Sequence, residues 1–139
     1  NKTVSYSYDA KGQLISVTDS LGTQTFEYDD VGNLDEIIDA LNAHSYINYD
    51  DKNRPTSITD ALGNVTTNIY DAIDQIISQT DANGNTTLFS YNNMGWLDSM
   101  TNAIGGVTTF GYDMAGNMDV YIDANNHITN YTFNSLNLP

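Results

Sequence analysis

A Tyr-Asp pair, or a close substitute, returns along this chain at Tyr8, Tyr28, Tyr49, Tyr70, Tyr91 and Tyr112, with a variant at Phe133. The period is roughly 21 residues, long enough for one hairpin unit and short enough to mark a repeat architecture. Only the first interval differs, being shorter than the rest by a single position. A short fixed period overrides what length alone would suggest. Each repeat is one supersecondary unit that cannot bury its own apolar face and must stack on its neighbours. Residues 1–139 therefore read as a single repeat array with no linker inside it.

Two turns of one shape recur in each repeat, an Asp or Asn followed three residues later by Gly, Asn or Asp. The first kind starts at Asp9, Asp29, Asp50, Asp71, Asn92, Asp113 and Asn134, and ends at Gly12, Gly32, Asn53, Asp74, Gly95, Gly116 and Asn137. The second kind runs from Asp19, Asp39, Asp60, Asp81, Asn102 and Asp123 to Gly22, Asn42, Gly63, Gly84, Gly105 and Asn126. A type I turn followed by a left-handed residue wants a short side-chain acceptor first, to bond the backbone two residues on, and last a residue that tolerates positive φ. Gly does so freely, with Asn and Asp as the usual substitutes. The pattern predicts three-residue hairpin loops with a left-handed bulge residue throughout.

Successive turns leave about six or seven residues between them, a normal strand length. The predicted fold is all-β: tandem antiparallel β-hairpins forming a continuous coiled ribbon, a solenoid-like strip. Thirteen strands at about 4.8 Å each would make it roughly 60 Å long. Alternation places Tyr6, Phe26, Ile47, Asn68, Phe89, Phe110 and Tyr131 on one face with the Tyr, or in the last case Phe133, that follows each by two residues. Tyr8, Tyr28, Tyr49, Tyr70, Tyr91 and Tyr112 thus form an expected packed aromatic column. A second apolar column, Leu14, Leu34, Pro55, Ile76, Leu97 and Met118, is followed three residues later by Val17, Ile37, Ile58, Gln79, Met100 and Tyr121. A spacing of three breaks alternation, so either a bulge intervenes or both faces are partly covered.

Composition narrows the function. Four basic residues against 18 acidic ones give a net charge of −14, and all four basic residues lie within the first 54 positions. Phosphate binding needs clustered Lys and Arg, so nucleic acid is excluded as a partner. Nor does any stretch reach the ~20 apolar residues that would insert in a membrane. With no cysteine there is neither a disulfide nor a thiolate metal site.

The residues that invite chemistry have plainer readings. Ten of the 18 acidic residues open a turn, where local hydrogen bonding accounts for them, and no calcium-loop motif is present. We assign no catalytic, cofactor or metal residue, leaving room only for weak divalent-cation binding at stacked turns. His44 and His127 stand without a partner at ligand spacing and read as strand residues. Trp96 lies off the main pattern and is the best candidate for a surface contact, such as one aromatic of a sugar-binding platform. Asn-x-Thr sequons at Asn1, Asn64, Asn85 and Asn130 arise readily in a chain rich in Asn and Thr.

The segments Tyr8-Asp9-Ala-Lys-Gly12-Gln-Leu14, Tyr28-Asp29-Asp-Val-Gly32-Asn-Leu34 and Tyr112-Asp113-Met-Ala-Gly116-Asn-Met118 resemble the YD repeats of the RHS family, and the resemblance covers essentially the whole chain. That family includes bacterial polymorphic toxins, insecticidal toxin complexes, wall-associated proteins and animal teneurins. The resemblance implies a β-ribbon spiralled into a hollow shell, which in toxins encloses a toxic domain.

On this reading the chain is a non-enzymatic scaffold or shell-wall segment of an extracellular or bacterial cell-surface protein, met by flanking repeats or other copies through its edge strands. The alternatives are a subunit of a self-assembling extracellular filament and, more remotely, a carbohydrate-binding adhesin. A first residue other than Met and a last repeat cut short are expected of a segment of something longer.

Overall fold

The computed structural model describes residues 3–134. The Asn134–Asn137 turn, apart from its first member, and the sequon at Asn1 lie outside the described residues. Thirteen strands are formed and no helix among the described residues. They are β1 (Ser5–Tyr8), β2 (Leu14–Asp19), β3 (Gly22–Tyr28), β4 (Leu34–Ile38), β5 (His44–Tyr49), β6 (Pro55–Thr59), β7 (Val65–Tyr70), β8 (Ile76–Thr80), β9 (Thr86–Tyr91), β10 (Leu97–Thr101), β11 (Val107–Tyr112), β12 (Met118–Ile122) and β13 (Ile128–Asn130).

The chain divides into two compact units, Asn1–Asn68 and Ile69–Pro139. In the first, consecutive strands from β1 to β7 pair antiparallel. In the second, β8 to β13 do the same.

Eleven turns close in one way. The first residue's N–H donates to the fifth residue's carbonyl and the fourth residue's N–H donates back to the first residue's carbonyl, at 2.9–3.4 Å. In those eleven the fourth residue has φ between 61° and 102°, whether it is Gly or one of Asn42, Asn53, Asp74 and Asn126. The side-chain oxygen of the first residue supplies the rest. Asp81 Oδ1, for example, accepts the N–H groups of Asn83 and Asn85, both at 2.9 Å. One aspartate therefore satisfies two backbone donors that the loop would otherwise leave to water.

The turn at Asp19 departs from the expected three-residue loop. Asp19 pairs directly with Gly22, leaving only Ser20 and Leu21 between the strands, and Gly22 sits at φ 138°. The position missing from this loop is the one by which the first repeat falls short of the others.

The column spacing of three is resolved as a bulge. Tyr28 pairs with Leu34 while Glu27 pairs with Glu36, so Asp35 is the extra residue of β4. The same register step leaves Ile15, Thr56, Asp98 and Asp119 unpaired in β2, β6, β10 and β12. One extra residue turns a three-residue spacing back into one face, so Leu34 and Ile37 lie on the side of Tyr28 and Phe26.

This face carries the aromatic and aliphatic columns. The opposite face is rich in Ser and Thr, with hydroxyl pairs across strands such as Thr18 with Thr23 and Thr80 with Thr86, at 2.8 and 2.9 Å. Among the described residues no side chain is fully buried. Along each unit the columns half-cover one another.

Candidate functional site

The repeated Tyr does more than fill a column. Tyr28 Oη donates to the Leu14 carbonyl at 2.9 Å, Tyr49 Oη to Leu34, Tyr91 Oη to Ile76, both at 2.8 Å, and Tyr112 Oη to Leu97 at 2.9 Å. At Leu14, Leu34 and Leu97 the acceptor immediately precedes a bulge residue, where the strand ladder is interrupted and a carbonyl needs another donor. The hydroxyl reaches one repeat back to supply it. Burial, followed by the nearby carboxylates of Asp29 and Asp35, pushes the Tyr49 hydroxyl above its ordinary pKa, and burial with Asp71 does the same for Tyr91.

Tyr8, expected in the packed column, is instead 59% exposed. It sits on the edge strand β1, and no earlier strand among the described residues offers it a bulge carbonyl. Tyr70, by contrast, is half-buried.

A second tie between repeats runs along the edge formed by the first-kind turns, through the residue just after each turn. Gln13 Nε2 donates to the Gly32 carbonyl at 3.2 Å, Asn33 Nδ2 to Asn53 Oδ1 at 2.9 Å, and Gln75 Nε2 to the Gly95 carbonyl at 2.8 Å. The sequence signal for this is the recurring Gln or Asn at positions 13, 33, 75 and 117, which a reading of the apolar columns passes over.

Trp96, expected to lie off the pattern, occupies this same position. Its ring is half-buried, 5.2 Å from the Tyr112 ring at 49°, and it lies so close over Gly116 that a Cβ there would sit 3.0 Å from it. His127 likewise follows a turn, rather than lying in a strand, and its Nδ1 is 2.9 Å from Asp123 Oδ2. His44 opens β5, with Nδ1 2.5 Å from Glu36 Oε1 and its ring stacked on Tyr46.

Several of the turn carboxylates are held below the usual range. For Asp29, Asp60, Asp81 and Asp113 the main cause is the side-chain amide of Asn33, Asn64, Asn85 and Asn117 respectively, and for Asp50 it is the Arg54 guanidinium. A concavity of about 470 Å³ in the first unit is lined by Asp29, Asp35, Tyr49, Asp50, Asp51 and Asn53, among others. Asp35 Oδ1 is buried there with no hydrogen-bond partner. No group of three or more His, Cys, Asp or Glu placed to hold a metal occurs among the described residues. The geometry is that of a lattice which ties strand to strand and turn to turn.

The teneurin YD-shell family model matches residues 1–139, the whole of the chain. The chain belongs to that family. Among solved structures, this YD-shell chain is similar to the crystal structure of TcdB2-TccC3-TEV, with a TM-score of 0.73 at 16% identity over 96% of its length. It is similar also to TcdB2-TccC3, with a TM-score of 0.57 at 16% identity over 94%, and to the Photorhabdus luminescens Tc holotoxin pore, with 0.51 at 15% over 94%. At these identities the likeness shows the fold. The YD-shell chain spans only 9–10% of those chains' lengths. No curated protein matches it.

Proposed function

We propose that this chain is a wall segment of a YD-type shell, a structural part of a larger extracellular protein with no catalysis of its own. One observation carries the reading: the side chains that define the motif are taken up in closing the turns and joining the repeats. The Tyr28, Tyr49, Tyr91 and Tyr112 hydroxyls go to carbonyls of the preceding repeat and the turn aspartates to backbone N–H groups of their own turns, so these groups are engaged in holding the fold. The family match and the Tc-toxin neighbours support the same reading. In it the half-covered aromatic face meets what the shell holds, such as an enclosed toxin domain, and flanking repeats pair with the edge strands. The wall needs no cofactor.

The test is the natural gene product. Further Tyr-Asp repeats at the same period on either side of this segment, and closed hollow particles by electron microscopy, are the expected result. The filament reading has one observation in its favour, since β1 and β13 are exposed along their whole length. Open fibres lengthening with concentration would replace the shell by that alternative.

A further inference from the structure

In the second unit the edge formed by the first-kind turns carries an apolar surface that the repeat lattice does not use. Ile73 is 69% exposed, Met94 is 71% exposed and Met114 is fully exposed, each at the tip of its turn. Gln75 ties the Ile73 turn to the Met94 turn, and Trp96 ties the Met94 turn to the Met114 turn, so the three tips belong to one continuous edge. Behind them stands the Trp96–Tyr112 ring pair.

Exposed Met and half-exposed Trp and Tyr are the residue types enriched at binding surfaces, Met because its flexible thioether adapts to differing shapes. The charge pattern chooses the partner. Residues 69–139 contain seven Asp and no Glu, Lys or Arg, so this unit has no Lys or Arg to neutralise its field. Aromatic faces in an anionic setting attract cations.

We propose that the edge formed by Ile73, Met94, Trp96, Tyr112 and Met114 docks a basic, apolar polypeptide segment, in which aliphatic side chains cover the Met tips and a Lys or Arg lies over the aromatic pair. The proposal is independent of what the assembled protein encloses.

Trp96 is the only Trp in the chain, so its fluorescence reports on this site alone. The probe is a ten-residue peptide alternating Arg and Leu, compared with its Glu and Leu counterpart and titrated into the full chain. The expected result is a saturable change in Trp96 emission with the Arg peptide and affinity about tenfold or more weaker for the Glu peptide. The Met94→Ser, Met114→Ser double variant alters only exposed tips, and a loss of about tenfold is expected there too.

Three results overturn the proposal: no emission change at saturating peptide, equal binding of both peptides, or unchanged affinity in the double variant, which would reduce the effect to net charge. Concentration-dependent self-association of the chain without peptide, seen by sedimentation and lost in the double variant, assigns the edge to a second copy instead and also overturns it.

Discussion

At the scale of single residues, a hydroxyl separates what Tyr does here from what Phe could do. Tyr49→Phe keeps the ring in its column but withdraws the donor from the Leu34 carbonyl, which lies in a half-buried strand next to a bulge. The expected cost is about 1 kcal/mol, read from denaturant unfolding. Tyr8→Phe, at the exposed head of the same column, is expected to change nothing, and equal losses at both sites would refute the ladder. Glycines divide in the same way. Gly63 has φ 81° and open space around it, so Gly63→Val should cost on the order of 1–2 kcal/mol through backbone strain alone. Gly116, at φ 86°, also lies under the Trp96 ring, so Gly116→Ala adds a collision to the strain. In a Trp96→Asn background that added part should vanish, leaving the cost of Gly63→Ala. A double-mutant cycle measures it, and a coupling of zero would mean that the ring does not cover Gly116.

At the scale of the hairpin, the turn carboxylates make stability depend on pH in a direction that can be worked out. Asp29, Asp60, Asp81 and Asp113 have folded pKa values lowered from the usual one, so they bind protons less readily folded than unfolded. Their contribution is present above the unfolded value of about 3.9 and is lost as pH falls through the folded values. Tyr49 and Tyr91 are shifted the other way, so their contribution is present below about 10 and lost as pH rises further. Replacing Asp60, Asp81 and Asp113 together by Asn removes three of the acid-labile groups and keeps an acceptor, as Asn92 and Asn102 already do in their own turns. The melting temperature of this variant should fall less steeply with acidification than that of the parent. Parallel slopes would show that the turns do not carry the acid response.

The turns were legible in the sequence because their residue types encode φ and local hydrogen bonding, which act within five residues. The bulge was not, since a spacing of three suits either a bulge or two covered faces until the partner strand is known. The bond from Gln75 to Gly95 joins two loops a whole repeat apart, so its only signal is the return of Gln or Asn at that position from repeat to repeat. Trp96 falls outside the sequence pattern for the same reason, its position being defined by the next turn and not by its own strand.

At the scale of the whole molecule, a lattice of repeats should tolerate the loss of one repeat and resist the loss of any other length. Deleting Asp29–Tyr49 removes one full repeat and joins Tyr28 to Asp50, so the first-kind turn, its left-handed Asn53 and the following column are all restored in phase. Stability then falls by one repeat and its interface, while the β-sheet circular dichroism per residue is kept. Deleting Asp29–Asp50 takes one residue more and makes Asp51 the first residue of the turn. Arg54 then occupies the left-handed position, and Pro55 no longer falls opposite a Tyr. A slip of one residue exchanges the two faces of a strand, so this variant should lose cooperative unfolding although it differs from the first by a single residue. The first repeat shows where a missing residue can be absorbed, since its shortened loop at Ser20–Leu21 takes up the change before the strand begins. If both deletions unfold alike, the chain behaves as one cooperative globule and the repeat lattice is wrong; if only the longer one fails, phase and not length is what the Tyr-Asp period maintains.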